Sequence, residues 1–218
     1  MGTKERKERE KKLRRDQILT AAIELIEKQG FEKTTMDEIA EKAELSKGTL
    51  YLYFNDKSTL HKAIKKRGLQ HLHEKFLNVI QKDLPGAQLV KYMMLTFLKT
   101  ITQNAAFTKA MLIYEHYSNE HYSNELEKND SPSITEDCHK IEDELFILMV
   151  RAVQIGIQDG SITTKLHPKI LSLTLSFQMS GMLNFYLTGS NKNMKELFQE
   201  HSLSMSQLLD EFLDIQLH

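Results

Sequence analysis

The chain has 218 residues, of which 40% are hydrophobic, with nine glycines, three prolines and one cysteine. This hydrophobic content excludes wholesale disorder, and the scarcity of helix breakers favours long helices over a sheet with many turns. A single cysteine, Cys138, excludes an internal disulfide framework and a multi-cysteine zinc site. No apolar run reaches the roughly 18 residues of a membrane span, and no signal peptide precedes the first helix. We therefore expect a soluble cytoplasmic protein.

The net charge of −1 conceals an asymmetry between the two ends of the chain. Residues 1–68 hold 17 Lys and Arg against 12 Asp and Glu, a net +5, whereas residues 69–218 hold 12 against 18, a net −6. A basic front and an acidic rear indicate that the front meets a polyanion. We expect two domains, residues 1–68 and residues 69–218, with residues 1–13 forming either a basic arm or an extension of the first helix.

Signals for short, well-capped helices fill the front of the chain. Helical periodicity predicts a helix from about Arg14 to Gln29, with Gly30 at its C-terminal cap. Thr35 and Glu38 have the spacing of a capping box that opens a second helix. Ser46 is expected to cap a third helix over residues 47–53, and Asn55 or Asp56 a fourth, long helix from about Lys57.

Two short helices joined by a tight turn at residues 35–54 predict a helix-turn-helix. The third helix begins Ser-Lys-Gly, and Gly48 has no side chain to keep its N-terminus away from DNA. Lys47 and Thr49 can reach base edges, while Tyr51, Tyr53 and Lys57 can donate to phosphates. The pattern alone also fits a small helical bundle with a solvated face.

A longer string of residues resembles a known family. Residues 14–67 are similar to the DNA-binding domain of the tetracycline-repressor (TetR) family, through Gly30-Phe31, Thr34 to Ala40, Ser46 to Phe54 and Asp56-Lys57. The resemblance implies an all-α fold with a helix-turn-helix head and a larger helical bundle, and a DNA surface formed by Thr35, Lys47, Gly48, Thr49, Tyr51, Tyr53 and Lys57. Two positions depart from the family. Leu52 replaces a frequent second Tyr, and Glu44-Leu45 replaces a Gly-containing turn, so Glu44 is strained if its φ is positive.

Long amphipathic patterns predict five helices in the rear, at about 87–103, 105–117, 134–158, 168–188 and 193–216. Residues 118–133 are polar. They overlap a tandem repeat in which His-Tyr-Ser-Asn-Glu occurs at 116–120 and again at 121–125. We interpret this segment as a loop. The residues from Ile155 to Ile162, followed by His167-Pro168, resemble a late helix-to-helix junction of the family.

The helix predicted at 168–188 is apolar on nearly every side, which requires burial on more than one face. With the last helix it predicts a four-helix interface between two copies of the chain, in agreement with the usual dimer of the family. The expected interface residues are Ser180, Gly181, Leu183, Met205, Leu208, Leu209 and Phe212.

The resemblance also implies a pocket for a small, mostly apolar ligand in the rear domain. The candidate lining residues are Met93, Met94, Phe97, Met111, Tyr114, Phe146, Met149, Gln178, Met182 and Asn184. Ten methionines in the chain suit an adaptable cavity, although apolar stripes at helical spacing more often form ordinary core.

The sequence predicts neither enzyme activity nor a cofactor or metal. Glu136-x-x-His139 has the spacing of di-iron helical bundles, but those sites need a second copy and further carboxylates. The leading hypothesis is a homodimeric, ligand-responsive repressor that binds a near-palindromic DNA operator. The alternative is a helical DNA-binding interaction or architectural protein without a small ligand.

Overall fold

The computed structural model describes residues 3–104, 106–108, 110–111, 132–188, 196, 200 and 204–217. The regular secondary structure of these residues is α-helical throughout, as the sequence predicted. The chain divides into two compact units, residues 1–68 with 104–138 and residues 69–103 with 139–218. The described residues among 104–138 thus belong with residues 1–68, so the N-terminal unit holds more than those residues alone.

Eight helices are described, and most bounds lie close to those predicted. They are α1 (Thr3–Gln29), α2 (Met36–Lys42), α3 (Lys47–Tyr51), α4 (Lys57–Ile80), α5 (Gly86–Gln103), α6 (Pro132–Gln158), α7 (Pro168–Thr188) and α8 (Met205–Leu217). Residues 3–13 extend α1, α3 ends two residues earlier than expected, and α8 starts later than the predicted 193. Most of the predicted 105–117 helix and the tandem repeat lie outside the described residues.

The N-terminal unit is built on one hydrophobic cluster from α1, α2, α3 and the start of α4, joined by Ala106 and Ala110. Ile18, Ile39 and Leu50 are fully buried in it. Gly30 ends α1 with a φ of 85°, a left-handed conformation that glycine adopts without a steric penalty. Gly68 lies so close to the Phe107 ring that a Cβ there would overlap it.

In the second unit, α5 meets α6 at two glycines. A Cβ on Gly86 would overlap the backbone nitrogen of Gly156, so residue 86 needs the absence of a side chain. A Cβ on Gly156 would lie 2.5 Å from the Ile162 side chain. The backbone N–H groups of Gly86 and Ala87 donate to Asp159 Oδ2 at 2.8 Å and Ser161 Oγ at 3.0 Å. The junction after α6 therefore caps α5, because these first N–H groups have no partner within their own helix. Hydrogen bonds to the Asp159 carboxylate, from the Ser161 hydroxyl first and then from the backbone N–H groups of Gly86 and Ser161, hold the pKa of Asp159 below its usual range.

Helix α7 has two different apolar faces. Leu171, Leu175 and Met179 are buried within the unit at i, i+4 and i+8. Ile170, Leu173 and Phe177 lie on another face and are exposed, Phe177 by 67%. The sequence predicted an all-round apolar helix, and the structure shows which face the unit itself covers. None of the helices in the described part of the chain is both long and apolar enough to cross a membrane.

Candidate nucleic-acid interface

The capping box predicted at Thr35 is present and fixes the start of α2. The Thr35 hydroxyl accepts from the backbone N–H of Glu38 at 3.2 Å, and the backbone N–H of Thr35 donates to Glu38 Oε2 at 2.8 Å. The backbone bond from Thr35 first, and then the side-chain bonds from Gln29 and Thr35 to the carboxylate, lower the pKa of Glu38. The Thr35 hydroxyl also donates to Glu38 Oε2 at 2.8 Å. Because both donors of Thr35 are used within the cap, a phosphate contact by its side chain would have to replace a bond to Glu38.

The turn between α2 and α3 is a Schellman motif. The backbone N–H of Leu45 donates to the carbonyl of Ala40 at 2.9 Å, and that of Glu44 to the carbonyl of Glu41 at 3.0 Å. Glu44 occupies the left-handed position with a φ of 55°, a conformation that costs a residue with a Cβ about 1–2 kcal/mol. The strain expected for Glu44 at a positive φ is therefore present, and it sets the direction in which the chain enters α3.

Helix α3 is short and held at both ends. The Ser46 hydroxyl accepts from the backbone N–H of Thr49 at 3.1 Å and lies 2.7 Å from the Thr49 hydroxyl. Leu50 and Phe54, four residues apart, are fully buried in the cluster below the helix. These two anchors decide which side chains of α3 face outward.

The outward face of α3 presents the ammonium group of Lys47, the bare backbone of Gly48 and the hydroxyl of Tyr51. Lys47 is exposed and lies 2.8 Å from the carboxylate of Asp37, whose hydrogen bond, more than its charge, raises the pKa of Lys47. Gly48 has open space where a Cβ would stand, with no atom within 4 Å. Tyr51 is exposed beside them. An exposed surface pair contributes little to stability, so Lys47 can exchange Asp37 for a nucleic acid at small cost.

Lys57 is the first residue of α4, and its ammonium group contacts the turn that follows α1. Its Nζ donates to the carbonyl of Glu32 at 3.2 Å and lies 4.3 Å from the centre of the Phe31 ring. Asp56 caps α4 by accepting from the backbone N–H of Thr59 at 2.6 Å, which decides between the two caps expected from the sequence. An ammonium group has three donors, so Lys57 keeps donors for a phosphate while bound in place.

Leu52 and Tyr53 directly follow α3, with Leu52 at its C-cap. Tyr53 is half-buried, and its carbonyl accepts from Arg15 at 3.4 Å. Leu52, which stands where the resembled family frequently has a second Tyr, is 82% exposed. Its exposure follows from the burial of Leu50 and Phe54, and an apolar side chain there can contact sugars or thymine methyl groups rather than phosphates.

The comparison with known families covers this same segment. Residues 18–64 match the family described as bacterial regulatory proteins, tetR family. This segment of the chain is therefore similar to the tetR family. The match ends within α4, and its span includes Thr35 and all the α3 residues described above.

Two relatives from Bacillus subtilis (strain 168) are both described as uncharacterized HTH-type transcriptional regulators. This chain is 43% identical to YvdT over 56 residues, 26% of the chain and 29% of the relative. It is 30% identical to YfiR over 130 residues, 58% of the chain and 60% of the relative. The matched segments thus span less than two thirds of either relative.

Solved structures extend the tetR-family likeness over both units, at the level of the fold. A TetR/AcrR-family transcriptional regulator from Thermobifida fusca matches with a TM-score of 0.68 and 21% identity, covering 94% of this chain and 97% of the other. AibR, solved with isovaleryl coenzyme A and operator DNA, matches with a TM-score of 0.61 and 19% identity, covering 94% and 98%.

The residues predicted for the dimer interface fall in different environments. Ser180, Gly181 and Leu208 are exposed, and Phe212 is half-buried. Leu209 is fully buried within its own unit, so its side chain cannot line a face for a partner. The side chains of Leu183 and Met205 lie outside the described residues. Among the α7 side chains that the structure describes, the exposed large apolar ones are instead Ile170, Leu173 and Phe177. Leu166, just before the helix, is exposed as well.

The predicted pocket residues are divided between the units. Met93, Met94 and Met149 are buried in the second unit, where Phe97 and Phe146 are half-buried, while Met111 belongs to the N-terminal unit. Gln178 has a buried Oε1 with no hydrogen-bond partner among the described residues. Tyr114 and the side chains of Met182 and Asn184 lie outside the described residues. A surface cleft of about 470 Å³ is lined by other residues, namely Asp83, Leu84, Pro85, Asp159, Gly160 and Ser161.

The metal alternative finds no support in the described ranges. Glu136 and His139 are both exposed on α6. Within the described part of the chain, no three His, Cys, Asp or Glu residues are grouped so that they could hold a metal ion. Cys138 is buried, with its sulfur 3.9 Å from the carbonyl oxygen of Lys62.

Proposed function

We propose that this protein is a homodimeric, DNA-binding transcriptional regulator, and more specifically a ligand-responsive repressor that acts in the cytoplasm on a near-palindromic operator. The observation that carries the proposal is the outward face of α3. Its helix is capped at Ser46, anchored through Leu50 and Phe54, and presents Lys47 beside the open surface at Gly48. A rigid short helix with a bare N-terminal turn can enter the major groove, where the sequence of DNA is read.

Each residue in and around α3 has a distinct role in this proposal. Lys47 and Thr49 contact base edges, Gly48 allows close approach, and Tyr51 and Tyr53 with Lys57 fix the register on phosphates. The hydroxyl of Thr49 leaves Ser46 to make its contact, and the ammonium of Lys47 leaves Asp37. Thr35 contributes mainly by positioning α2.

The deciding experiment uses Gly48→Ala. Because a Cβ at residue 48 meets no atom, the variant should fold normally and gain up to about 1 kcal/mol of helix stability. The same methyl group would lie between α3 and DNA, so we expect at least about a tenfold loss of affinity. The DNA is a duplex enriched by the wild-type protein from a random pool. Lys140→Gln, at an exposed lysine of the second unit, is the control for charge and handling. Unchanged binding by Gly48→Ala would show that α3 does not enter the groove.

The proposal of a homodimer rests on the exposed apolar face of α7. Contiguous exposed apolar surface is rare on a soluble monomer and usually marks an interface. A second copy that packs the same face against it would cover Ile170, Leu173 and Phe177 symmetrically. Two heads related by a two-fold axis then require half-sites with the same symmetry, so the enriched duplexes should be near-palindromes.

The proposal of a small ligand rests on the interior of the second unit. The unpaired, buried Oε1 of Gln178 can accept a hydrogen bond from a ligand, and the methionines beside α5 and α6 can repack around an apolar group. Acyl coenzyme A thioesters of graded chain length are a reasoned first panel, since AibR was solved with one. If the ligand lowers operator affinity, its binding relieves repression.

A titration with and without the enriched duplex tests this coupling. Linkage requires the duplex to weaken ligand binding by the same factor by which the ligand weakens DNA binding, about 5–150-fold for a coupling of about 1–3 kcal/mol. Equal ligand affinity in both conditions would mean that binding is not regulatory. A panel without any ligand-dependent rise in melting temperature would favour the architectural DNA-binding protein.

A further inference from the structure

The first three turns of α1 project beyond the folded unit. Residues 4–14 are all exposed, and the first buried residue of the helix is Ile18. At 1.5 Å per residue this projection is about 16 Å long. Short helices are marginal in water without tertiary contacts, so the projection depends on its continuity with the buried part of α1. An exposed ion pair one turn apart, Arg6 with Glu10 at 2.9 Å, adds a small local stabilisation.

The positive charge of residues 1–68 is concentrated in this projection. Residues 3–15 hold eight Lys and Arg against three Glu, a net +5. Residues 1–68 together hold 17 against 12, which is also +5. The remaining residues of the front, including the whole α3 surface, are therefore neutral in sum. Within residues 1–68, attraction of a polyanion must therefore come largely from the projection.

The charges are also sorted around the helix. Lys4, Lys7, Lys11 and Arg14 follow one another at i, i+3, i+7 and i+10, which places them within about 80° of each other around the axis. We call these four residues the basic stripe. Glu5, Glu8 and Glu10 fall outside this arc. The glutamates that help to form the helix thus leave one face purely cationic.

The direction of the stripe is fixed by the folded part of α1. Ile18 and Ala22 continue the stripe at i+4 and i+8 from Arg14, and both are fully buried in the cluster shared with α2 and α3. The stripe therefore faces the side of α1 on which those helices lie. Next to it, Arg15 is anchored with its guanidinium 4.4 Å from the centre of the Phe54 ring and 3.4 Å from the Tyr53 carbonyl. The projection consequently leaves the unit beside the C-terminal end of α3.

We propose that the basic stripe binds the phosphate backbone of the DNA that α3 engages, as a sequence-independent clamp. From Lys4 to Arg14 the stripe spans about 15 Å, over which one strand of B-DNA presents about four phosphates. Four cations on one face match this charge. An anionic membrane surface is a poorer partner, because the projection has only Leu13 as an apolar anchor. The inference rests on the proposed function, since it requires DNA on α3.

The test compares two triple variants that remove the same charge from opposite faces. Lys4, Lys7 and Lys11 are changed to Gln in the first, and Arg6, Arg9 and Lys12 in the second. Both should fold, because none of the six side chains is buried. A third variant with Arg at Lys4, Lys7 and Lys11 keeps the stripe cationic. Affinity is measured between about 50 and 200 mM salt on the enriched duplex and on a random-sequence duplex of about 40 base pairs.

We expect the stripe variant to lose about 10-fold or more in affinity at the lowest salt, equally on both duplexes. The slope of log affinity against log salt should shrink by about 0.9 for each phosphate that the variant no longer neutralises. The opposite-face variant should lose much less, and the Arg variant should bind as the wild type does. Equal losses in the two Gln variants would overturn the inference, since only net charge would then matter.

Failure of the inference can be told from failure of the proposed function. If Gly48→Ala weakens operator binding while the stripe variant binds as the wild type does, α3 reads DNA and the stripe does not touch it. If the wild type binds neither duplex, both ideas fall together. Stripe-dependent binding to phosphatidylserine vesicles with unchanged DNA affinity would replace DNA with a membrane surface as the partner.

Discussion

The two units of this chain differ in what they leave exposed to water. Around α3 and along the start of α1, the N-terminal unit exposes Lys, Arg, Gly and Tyr. Along α7, the second unit exposes Ile170, Leu173 and Phe177. A charged face is well solvated by itself and binds a polyanion in a salt-dependent way, whereas an apolar face gains by being covered and is not weakened by salt. Salt should therefore separate the two contacts, weakening the first and sparing the second.

The largest expected effect is a difference in stability between two glycine-to-alanine variants, one in each unit. Gly86→Ala would drive a Cβ into the backbone nitrogen of Gly156 and to 2.7 Å from the Ala152 carbonyl oxygen. Neither backbone atom can rotate away, so the free energy of unfolding should fall by more than about 3 kcal/mol. In the N-terminal unit, Gly48→Ala should have no such cost. Urea unfolding followed by circular dichroism measures both, and a Gly86→Ala protein as stable as Gly48→Ala would show that α5 and α6 do not approach this closely.

Phe177→Glu tests the apolar face of α7. Phe177 is 67% exposed in one protomer, so the substitution should leave the monomer folded. In a dimer it would bury an unpaired carboxylate, which costs several kcal/mol, so the dimer dissociation constant should rise by about 100-fold or more. Light scattering over a concentration series gives that constant.

Ile147→Glu is the matched control, because Ile147 is 62% exposed but lies on α6. It should dimerise as the wild type does, and high salt should not dissociate the wild type. If Phe177→Glu dimerises as tightly as Ile147→Glu, another surface forms the dimer.

His61 makes the N-terminal unit sensitive to acid. Burial, with help from Lys65 and Lys57, lowers its pKa to about 4, and its ring packs 4.6 Å from that of Phe31. An unfolded histidine has a pKa of about 6.5, so between these two values the unfolded chain binds a proton that the folded chain does not. Stability should therefore fall as the pH drops from about 6.5 to about 4, by an amount on the order of 3 kcal/mol.

Replacing His61 with Leu should remove this contribution to the pH dependence, while His71→Leu, at an exposed histidine in the second unit, should leave it. The measurement is the urea midpoint at about pH 7 and about pH 5. An equal drop in the midpoint for wild type and His61→Leu would show that other groups cause the acid sensitivity.

Local signals explain why much of the N-terminal unit could be predicted from sequence. The capping box at Thr35, the cap at Ser46 and the glycine at residue 30 act within a few residues of themselves, so spacing alone reveals them. The extent of α1 could not be decided in the same way. Pairs of opposite charge permit the extension, but the anchoring of Arg15 on Phe54 depends on a contact 39 residues away along the chain.

The second unit shows what periodicity leaves open. The sequence predicted that Leu208 and Leu209 of α8 both lie in the dimer interface. In the structure, Leu209 is fully buried in its own unit and Leu208 is exposed. Helical spacing identifies the apolar positions and does not tell which neighbour covers each one. The capping of α5 by Asp159 and Ser161 was missed for a related reason, because a cap supplied 73 residues later leaves no local pattern.

The smallest effect concerns the turn that sets the direction of α3. Glu44 has a φ of 55°, so Glu44→Gly relieves the strain of a Cβ in the left-handed region, worth about 1–2 kcal/mol. Glycine also gives the unfolded chain more conformational freedom, which reduces that stabilisation by about 0.4–1 kcal/mol. We expect a net stabilisation of about 0.5–1 kcal/mol, measured as a higher melting temperature, with DNA affinity unchanged because the Schellman bonds are backbone bonds. Glu44→Ala removes the same charge but keeps the Cβ, so it should gain nothing. If Ala stabilised the protein as much as Gly does, the cause would be the glutamate charge beside the helix end rather than the backbone conformation.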